Sequence, residues 1–237
     1  MIDIHSHLIY GVDDGAENIE TSIEILKKYS ENGITDIILT PHYIIDTNYM
    51  SNKIDNLNKL SILKKEISNL GLDINLYLGN EIYIDRDIVK YIKDNKMCTL
   101  NNSEYILIEL PISGIYQDYQ DIIENLINIG FKVVLAHPER YITFQNDYNK
   151  IKEMTDLGVL LQCNVDSIIG RYGFKAKKTI KWILKNKLCT FIGTDIHSKK
   201  EDYSFIKKSK DKFLKYLTKE EVNDIFNENA KKIIRVK

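Results

Sequence analysis

The chain has 237 residues, 43% of them hydrophobic, which suffices for one substantial core and sets the expectation of a single domain over residues 1–237. Its 33 basic and 34 acidic residues nearly cancel, so no global field recruits nucleic acid or an anionic membrane. No run approaches the roughly 18 apolar residues of a membrane span, and Met1-Ile2-Asp3-Ile4-His5 lacks the basic and apolar character of a secretory leader. A cytoplasmic protein without membrane insertion is expected.

Short runs rich in Ile, Leu and Val alternate with longer segments of helical period, the pattern of βα units and a mainly parallel sheet. The first run, Ile2–His5, opens the motif Asp3-Ile4-His5-Ser6-His7. Strand side chains repeat with period two, so His-x-His places two imidazoles on one side, within reach of one ion. Asp13 and Asp14 lie in the loop that follows. The second run, Asp36–Thr40, leads through Pro41 to His42 and a loop, Tyr43–Met50, whose Tyr43 and Tyr49 are candidates to flank a substrate ring. The third, Ile74–Gly79, runs into Glu81. Beyond it, Ile84-Asp85-Arg86-Asp87 imitates a phosphatase nucleophile loop, but Asp85 suits a helix N-cap and Asp87 the helix dipole.

The fourth run, Tyr105–Leu110, carries Glu109, and the fifth, Val133–Ala136, is followed by His137-Pro138-Glu139-Arg140. A sixth run covers Val159–Cys163, and Trp182 lies in an amphipathic segment, Thr179–Lys187, expected to face the sheet. The seventh run, Thr190–Gly193, ends in Thr194-Asp195-Ile196-His197. Thr218-x-x-Glu221 is a capping box ahead of a last helix, expected to pack on the outside.

Seven strands of nearly continuous hydrophobicity are buried on both faces, and closure removes the exposed edges of an open sheet. The expectation is an α/β fold, a distorted (β/α)7 TIM-like barrel with an additional C-terminal helix. In a parallel barrel the C-terminal strand ends build the site. All five histidines fall there, together with Glu81, Glu109, Asp195 and the loop carboxylates. Mixed imidazole and carboxylate ligation favours Mn²⁺, Fe²⁺ or Zn²⁺ over Mg²⁺ or Ca²⁺, and so many ligands exceed the needs of one ion. Two or three divalent ions follow, and paired ions about 3.5–4 Å apart serve phosphoester hydrolysis. Arg140 adds bidentate donors for phosphoryl oxygens. Cysteine chemistry is excluded, because the residues six beyond Cys98, Cys163 and Cys189 are Glu104, Ile169 and Asp195 rather than arginine; these cysteines also lack C-x-x-C spacing, which argues against a zinc knuckle or disulfide framework.

The motifs Asp3-Ile4-His5-Ser6-His7, Val12-Asp13-Asp14-Gly15, Thr40-Pro41-His42, Gly79-Asn80-Glu81, Leu107-Ile108-Glu109-Leu110-Pro111, Ala136-His137-Pro138-Glu139-Arg140-Tyr141 and Asp195-x-His197 stand in one order and spacing. In this the chain resembles the polymerase-and-histidinol-phosphatase (PHP) superfamily, and within it the manganese-dependent tyrosine-protein phosphatases of bacterial capsule and exopolysaccharide operons. The resemblance implies the PHP fold and metal ligands at His5, His7, Asp14, His42, Glu81, Glu109, His137, Asp195 and His197, with Arg140 beside the phosphate as catalytic and substrate-binding residue. It implies Mn²⁺ first, with Fe²⁺ and Zn²⁺ as alternatives, and a metal-bridging hydroxide as nucleophile. The implied partner is a phosphotyrosine protein, the tail of a bacterial tyrosine autokinase, with no nucleic acid bound; a homo-oligomer is compatible with it.

One departure is that the second arginine usual after Asp-x-His is missing from Ser198-Lys199-Lys200-Glu201-Asp202, which leaves Lys199 and Lys200, with Tyr43, as further substrate-binding candidates. The competing readings are a histidinol-phosphate or other small phosphomonoester phosphatase, a PHP- or TatD-like nuclease, and a barrel that binds phosphotyrosine without turnover. His197 and the lack of basic or aromatic clusters speak against the nuclease, and the intact ligand set against the binding module.

Overall fold

The computed structural model describes residues 1–114, 116–198 and 203–235. The strands are β1 (Ile2–Asp3), β2 (Asp36–Leu39), β3 (His42–Tyr43), β4 (Asn75–Leu78), β5 (Glu81–Tyr83), β6 (Tyr105–Glu109), β7 (Lys132–Ala136), β8 (Leu160–Asn164) and β9 (Cys189–Gly193). The α-helices are α1 (Ile19–Glu31), α2 (Lys53–Asn69), α3 (Ile88–Lys93), α4 (Tyr119–Asn128), α5 (Ile142–Asn146), α6 (Asn149–Asp156), α7 (Gly173–Lys185), α8 (Phe205–Phe213), α9 (Lys219–Asn223) and α10 (Asn229–Ile234).

Every pairing between these strands is parallel, in the orders β1-β2-β4 and β3-β5-β6-β7-β8-β9. The two sheets are parts of one wall. β2 and β3 are halves of a single strand broken at Thr40-Pro41, and β4 and β5 are halves of the next, broken at Gly79-Asn80. Backbone bonds run through both breaks, from Gly79 N to Leu39 O (2.9 Å) and from Glu81 N to Pro41 O (3.2 Å). Counted this way the wall has the seven expected strands, two of them interrupted. The interruption re-aims the chain, so His42 and Glu81 begin new half-strands and sit directly opposite each other.

Closure falls between the first and last strands. Ser6 bridges Ile196 in parallel, Asp195 N donates to His5 O (2.9 Å) and His7 N donates to Ile196 O (3.1 Å). Fully buried Asp3 reinforces the seam by accepting from Thr194 N (3.0 Å), Thr194 Oγ1 (2.6 Å) and the Tyr29 hydroxyl of α1 (3.1 Å). Inside the wall, Ile2, Ile4, Ile38, Leu107, Val134 and Phe191 form an apolar plug, and a larger apolar layer lies between wall and helices.

The C-terminal segment departs from expectation. Its capping box is present, with Glu221 N donating to Thr218 Oγ1 (3.2 Å) and Thr218 N to Glu221 Oε2 (2.8 Å). From there the run continues through a π turn, Asp224–Glu228, into α10. Instead of lying on the outside, α10 inserts Ala230 and Ile233 into the inner plug, tied by Asn101 Nδ2 to Ile233 O (3.1 Å) and Asn229 Nδ2 to Thr190 O (3.0 Å). The physical reason is that the N-terminal mouth of the wall would otherwise leave Ile2 and Ile4 in water. The segment around Trp182 faces the core as expected: Ile180, Ile183 and Leu184 are buried, and the partly buried indole packs at the edge of the same layer, stacked on Tyr148 at 4.8 Å. At α3, Asp87 takes the N-cap position without a side-chain capping bond, while Asp85 Oδ1 accepts from Asp87 N (2.8 Å).

Ile233→Ala is expected to cost about 2–5 kcal/mol in urea denaturation. The divalent-cation affinity of the folded protein is expected to stay unchanged, because the plug lies at the opposite mouth from the histidines.

Candidate metal centre

Irregular backbone after β1 delivers His5 and His7 to the same place, with Nε2 of one 3.2 Å from Nε2 of the other. Both Nδ1 atoms are already engaged, His5 with Gln162 Oε1 (2.8 Å) and His7 with Asp13 Oδ2 (2.8 Å). Those oxygens only accept, so in the neutral rings each Nδ1 carries the proton and each Nε2 turns a lone pair toward the other. Two lone pairs at this distance repel unless a cation lies between them. The approach requires Gly193, since a Cβ there would stand 2.7 Å from both His5 Cβ and Gln162 Nε2.

Carboxylates surround the pair. Glu81 Oε1 is 3.3 Å from His5 Nε2 and its Oε2 is 3.4 Å from His7 Nε2, while Asp195 Oδ1 is 3.5 and 3.4 Å from the same two atoms. Glu81 also reaches His137 Nε2 (3.0 Å) and His42 Nδ1 (2.9 Å). Glu109 lies behind both, 3.6 Å from His137 Nε2 and 3.8 Å from His42 Nδ1. At the open rim, Asp14 Oδ1 is 3.5 Å from both His42 Nε2 and His197 Nε2. His137 (φ 31) and Asp195 (φ 54) are in the left-handed region, where a side-chain-bearing residue costs about 1–3 kcal/mol. The kinks turn two strand ends inward.

The residues fit a cluster of divalent cations. Three groups of donors, His7-Asp14-His42-His197, His5-His7-Glu81 and His42-Glu81-Glu109, each converge within 4.8 Å. They share His7, His42 and Glu81, which makes them overlapping sites for more than one ion. Among the described residues, buried His137 Nδ1 has no hydrogen-bond partner, and His42 Nδ1 and Glu81 Oε2 approach each other at 2.9 Å without the alignment of a hydrogen bond, as two donors to a common cation would.

Protons take the place of cations when none is bound. Burial alone would depress His5, but Glu81 and Asp195 outweigh it and hold the imidazole up at about 9. Burial likewise opposes charge on His7, yet Asp13 and its neighbours raise it well above the usual range. Burial and the adjacent charge of Glu81 push Glu109 up to about 8. Asp13 goes the other way: against its burial, the charge of His7 draws it down to about 2. Burial keeps His197 below its ordinary value, helped by His7.

All nine sequence-derived ligand candidates thus meet in one cluster, and Arg140 borders it. Its Nη1 donates to Asp195 Oδ2 (2.5 Å), not to Glu139, and its Cζ lies 4.6 Å from the Tyr172 ring centroid. Glu139 is buried and accepts instead from Asn164 N (2.9 Å) and Ser167 Oγ (2.6 Å). Tyr43 is not brought to the cluster. In β3 the alternation that turns His42 inward turns Tyr43 outward, where it is 2% exposed with Tyr91 at 6.2 Å. Of the two loop tyrosines, Tyr49 is the one that reaches the site, stacked on His42 at 5.8 Å. Lys199 and Lys200 lie outside the described residues.

Sequence reading missed the supports. Gln162 and Asn164 are inner-face residues of β8; Asn164 Nδ2 donates to Asp195 Oδ2 (2.8 Å), and Gln162 Nε2 donates to Asn164 Oδ1 (3.0 Å). Two amides alternating with Leu161 and Cys163 in an apolar run were the available signal. Asp13, read only as a loop carboxylate, orients His7 and also accepts from His42 N (3.0 Å).

Comparison with known proteins places these features in context. The family described as capsular polysaccharide synthesis, CpsB/CapC, matches residues 1–235. The CapC protein of Staphylococcus aureus is 35% identical over 201 residues, 84% of this chain and 77% of that one. The tyrosine-protein phosphatase CpsB of Streptococcus agalactiae serotype III is 28% identical over 240 residues, 99% of this chain and 98% of that one. Among solved structures, one from a study of Bacillus subtilis YwqE and Streptococcus pneumoniae CpsB, described as metal-dependent tyrosine phosphatases, superposes with a TM-score of 0.90 at 24% identity, covering 99% of this chain and 94% of that one.

Because His5 and Glu109 hold protons to about 9 and about 8, adding Mn²⁺ to the metal-free protein at pH 7 is expected to release protons, read with an indicator in weak buffer. Affinity is expected to rise as pH is raised through that range. Asp13→Asn is expected to weaken Mn²⁺ binding about 10–100-fold in calorimetric titration, since it loosens the orientation of His7 without removing a ligand.

Proposed function

This chain belongs to the CpsB/CapC family of capsular polysaccharide synthesis, and on that premise we propose that it is a metal-dependent phosphatase acting on phosphotyrosine in a protein. The observation that carries the reading is the set of three donor groups sharing His7, His42 and Glu81, bordered by the guanidinium of Arg140. The curated relative CpsB, matched over nearly its whole length, is named a tyrosine-protein phosphatase.

When bound, two or three divalent ions, Mn²⁺ first with Fe²⁺ and Zn²⁺ as alternatives, supply Lewis-acid charge and a water acidic enough to act as nucleophile near neutral pH. His5, His7, Asp14, His42, Glu81, Glu109, His137, Asp195 and His197 are the residues that would hold them. The rest of the chemistry belongs to the chain. Gln162 and Asp13 fix the tautomers of His5 and His7, so both Nε2 atoms remain acceptors. Asn164 and Arg140 occupy Oδ2 of Asp195, leaving Oδ1 to the cluster. Arg140, three-quarters buried in side chain, has further N–H groups for the phosphoryl oxygens, where charge develops during transfer. A phenolate leaves with an ordinary pKa near about 10, so it needs less help from a proton donor than an alkoxide does.

We infer that the substrate protein is the tyrosine-bearing tail of a bacterial autokinase controlling polysaccharide synthesis or export, and that the reaction is cytoplasmic. Three buried, unbridged cysteines support a reducing compartment, and no described helix is long and apolar enough to cross a membrane.

The test is phosphate release from a phosphotyrosine peptide by protein stripped with chelator and refilled with Mn²⁺, with histidinol phosphate and single-stranded DNA in parallel. Metal-restored release from the peptide is expected, abolished in His5→Ala and reduced about 10²–10³-fold in kcat by Arg140→Ala. Turnover of a competitor alone moves the assignment to that substrate, and silence on all three leaves a binding barrel.

A further inference from the structure

The guanidinium of Arg140 is held from two sides. One is the ion pair with Asp195 Oδ2; the other is the ring of Tyr172, whose centroid is 4.6 Å from Arg140 Cζ. We propose that Tyr172 is a positioning residue for the reaction, its ring carrying Arg140 at the angle from which the guanidinium meets the phosphoryl group. The inference rests on the phosphatase reading of this site.

The two holds differ in what they leave available. Asp195 uses in-plane N–H donors, the same donors a phosphoryl group needs, whereas an aromatic ring engages the face of the guanidinium and leaves its edge free. They also respond differently to loading. Asp195 Oδ1 lies 3.5 and 3.4 Å from the Nε2 atoms of His5 and His7, so a cation placed there shares the carboxylate charge and weakens its pull on Arg140. A neutral ring is indifferent to that change. It keeps the arginine in place when substrate arrives.

The turn that carries the ring is well anchored. Arg171 and Tyr172 stand between two glycines in left-handed conformation, Gly170 (φ 101) and Gly173 (φ 88), joined by a bond from Gly173 N to Gly170 O (3.1 Å). Arg171 Nε pairs at 3.2 Å with Asp166, whose side chain is 1% exposed. This turn starts α7, and helices of a parallel barrel start on the face where the strands end, so the turn lies on the rim that bears the histidines.

The experiment compares Tyr172→Leu with Tyr172→Phe, each alone and combined with Arg140→Ala, on Mn²⁺-loaded protein. Two readouts are taken: kcat/KM on the phosphotyrosine peptide, and the rise in Tm as inorganic phosphate is titrated. Tyr172→Leu is expected to lower kcat/KM roughly 3- to 30-fold and to weaken phosphate binding by a similar factor, the range of a partly desolvated cation–π contact. Tyr172→Phe should recover most of the loss, Mn²⁺ affinity should be unmoved, and Tyr172→Leu should add nothing once Arg140 is gone. The proposal is overturned by a Tyr172→Leu protein that matches wild type, by full additivity with Arg140→Ala, by Phe failing to rescue, or by a loss traced to Mn²⁺ binding. Should Tyr172→Leu not fold, Tyr172→Gln is scored by the same readings. Wild-type protein that leaves the peptide intact sinks the phosphatase reading instead, and the phosphate titration still decides the role of Tyr172.

Discussion

Two imidazole nitrogens facing each other at 3.2 Å, each with its proton committed to the far side of the ring, form a contact that is unfavourable without positive charge between them. Much of the site can be understood as holding that contact in place. Gln162 and Asp13 stop the rings from rotating or changing tautomer, Gly193 makes room for the approach, and Glu81 and Asp195 surround it with negative charge. Protons on His5, His7 and Glu109 satisfy the cluster in the absence of metal, which makes cation capture an exchange of charge in a cage that is already shaped.

The cage is inseparable from the seam of the barrel. His5 and His7 leave the first strand, Asp195 and His197 leave the last, and the bonds that close the wall run within these two short segments, from Asp195 N to His5 O and from His7 N to Ile196 O. Asp3, the first acid of the Asp-x-His-x-His motif, holds no place in the cluster; it fastens the seam through Thr194 and Tyr29. A motif that reads as five residues of one function divides into one that closes the barrel and two that point into the cage.

The period-two and period-3.6 patterns, with the chemistry of the strand ends, made the seven-strand wall and the gathering of five histidines with Glu81, Glu109, Asp195 and two loop aspartates legible in the sequence, while the choice of Asp14 over Asp13 as a ligand candidate came from the family resemblance. What escaped was decided by backbone geometry or by distance along the chain. The breaks at Thr40-Pro41 and Gly79-Asn80 leave hydrophobicity almost continuous, so each pair of half-strands read as one strand with a ligand beyond it. Tyr43 was misplaced because a new half-strand begins at His42 and its alternation turns the next residue into the outer layer. Of the adjacent Asp13 and Asp14, the first is buried behind His7 and the second is half-exposed at the rim, a difference of local turn that composition does not record. Tyr172 carries no local signal for its contact with Arg140. The last helix likewise showed its capping box but not its destination, since covering the open end of a barrel is a demand of the assembled wall.

The seam has a temporal consequence. Asp3 and Thr194, which fasten it, are 191 residues apart, so at a synthesis rate of about 5–20 residues per second the histidine pair waits roughly 10–40 s for the strand that completes its cage. During that interval His5 and His7 are two ordinary imidazoles on a nascent chain, with neither the amide that fixes one tautomer nor the distant carboxylate that neutralises a bound charge. The full donor set therefore comes together only once the barrel has closed, after its last strand has been made.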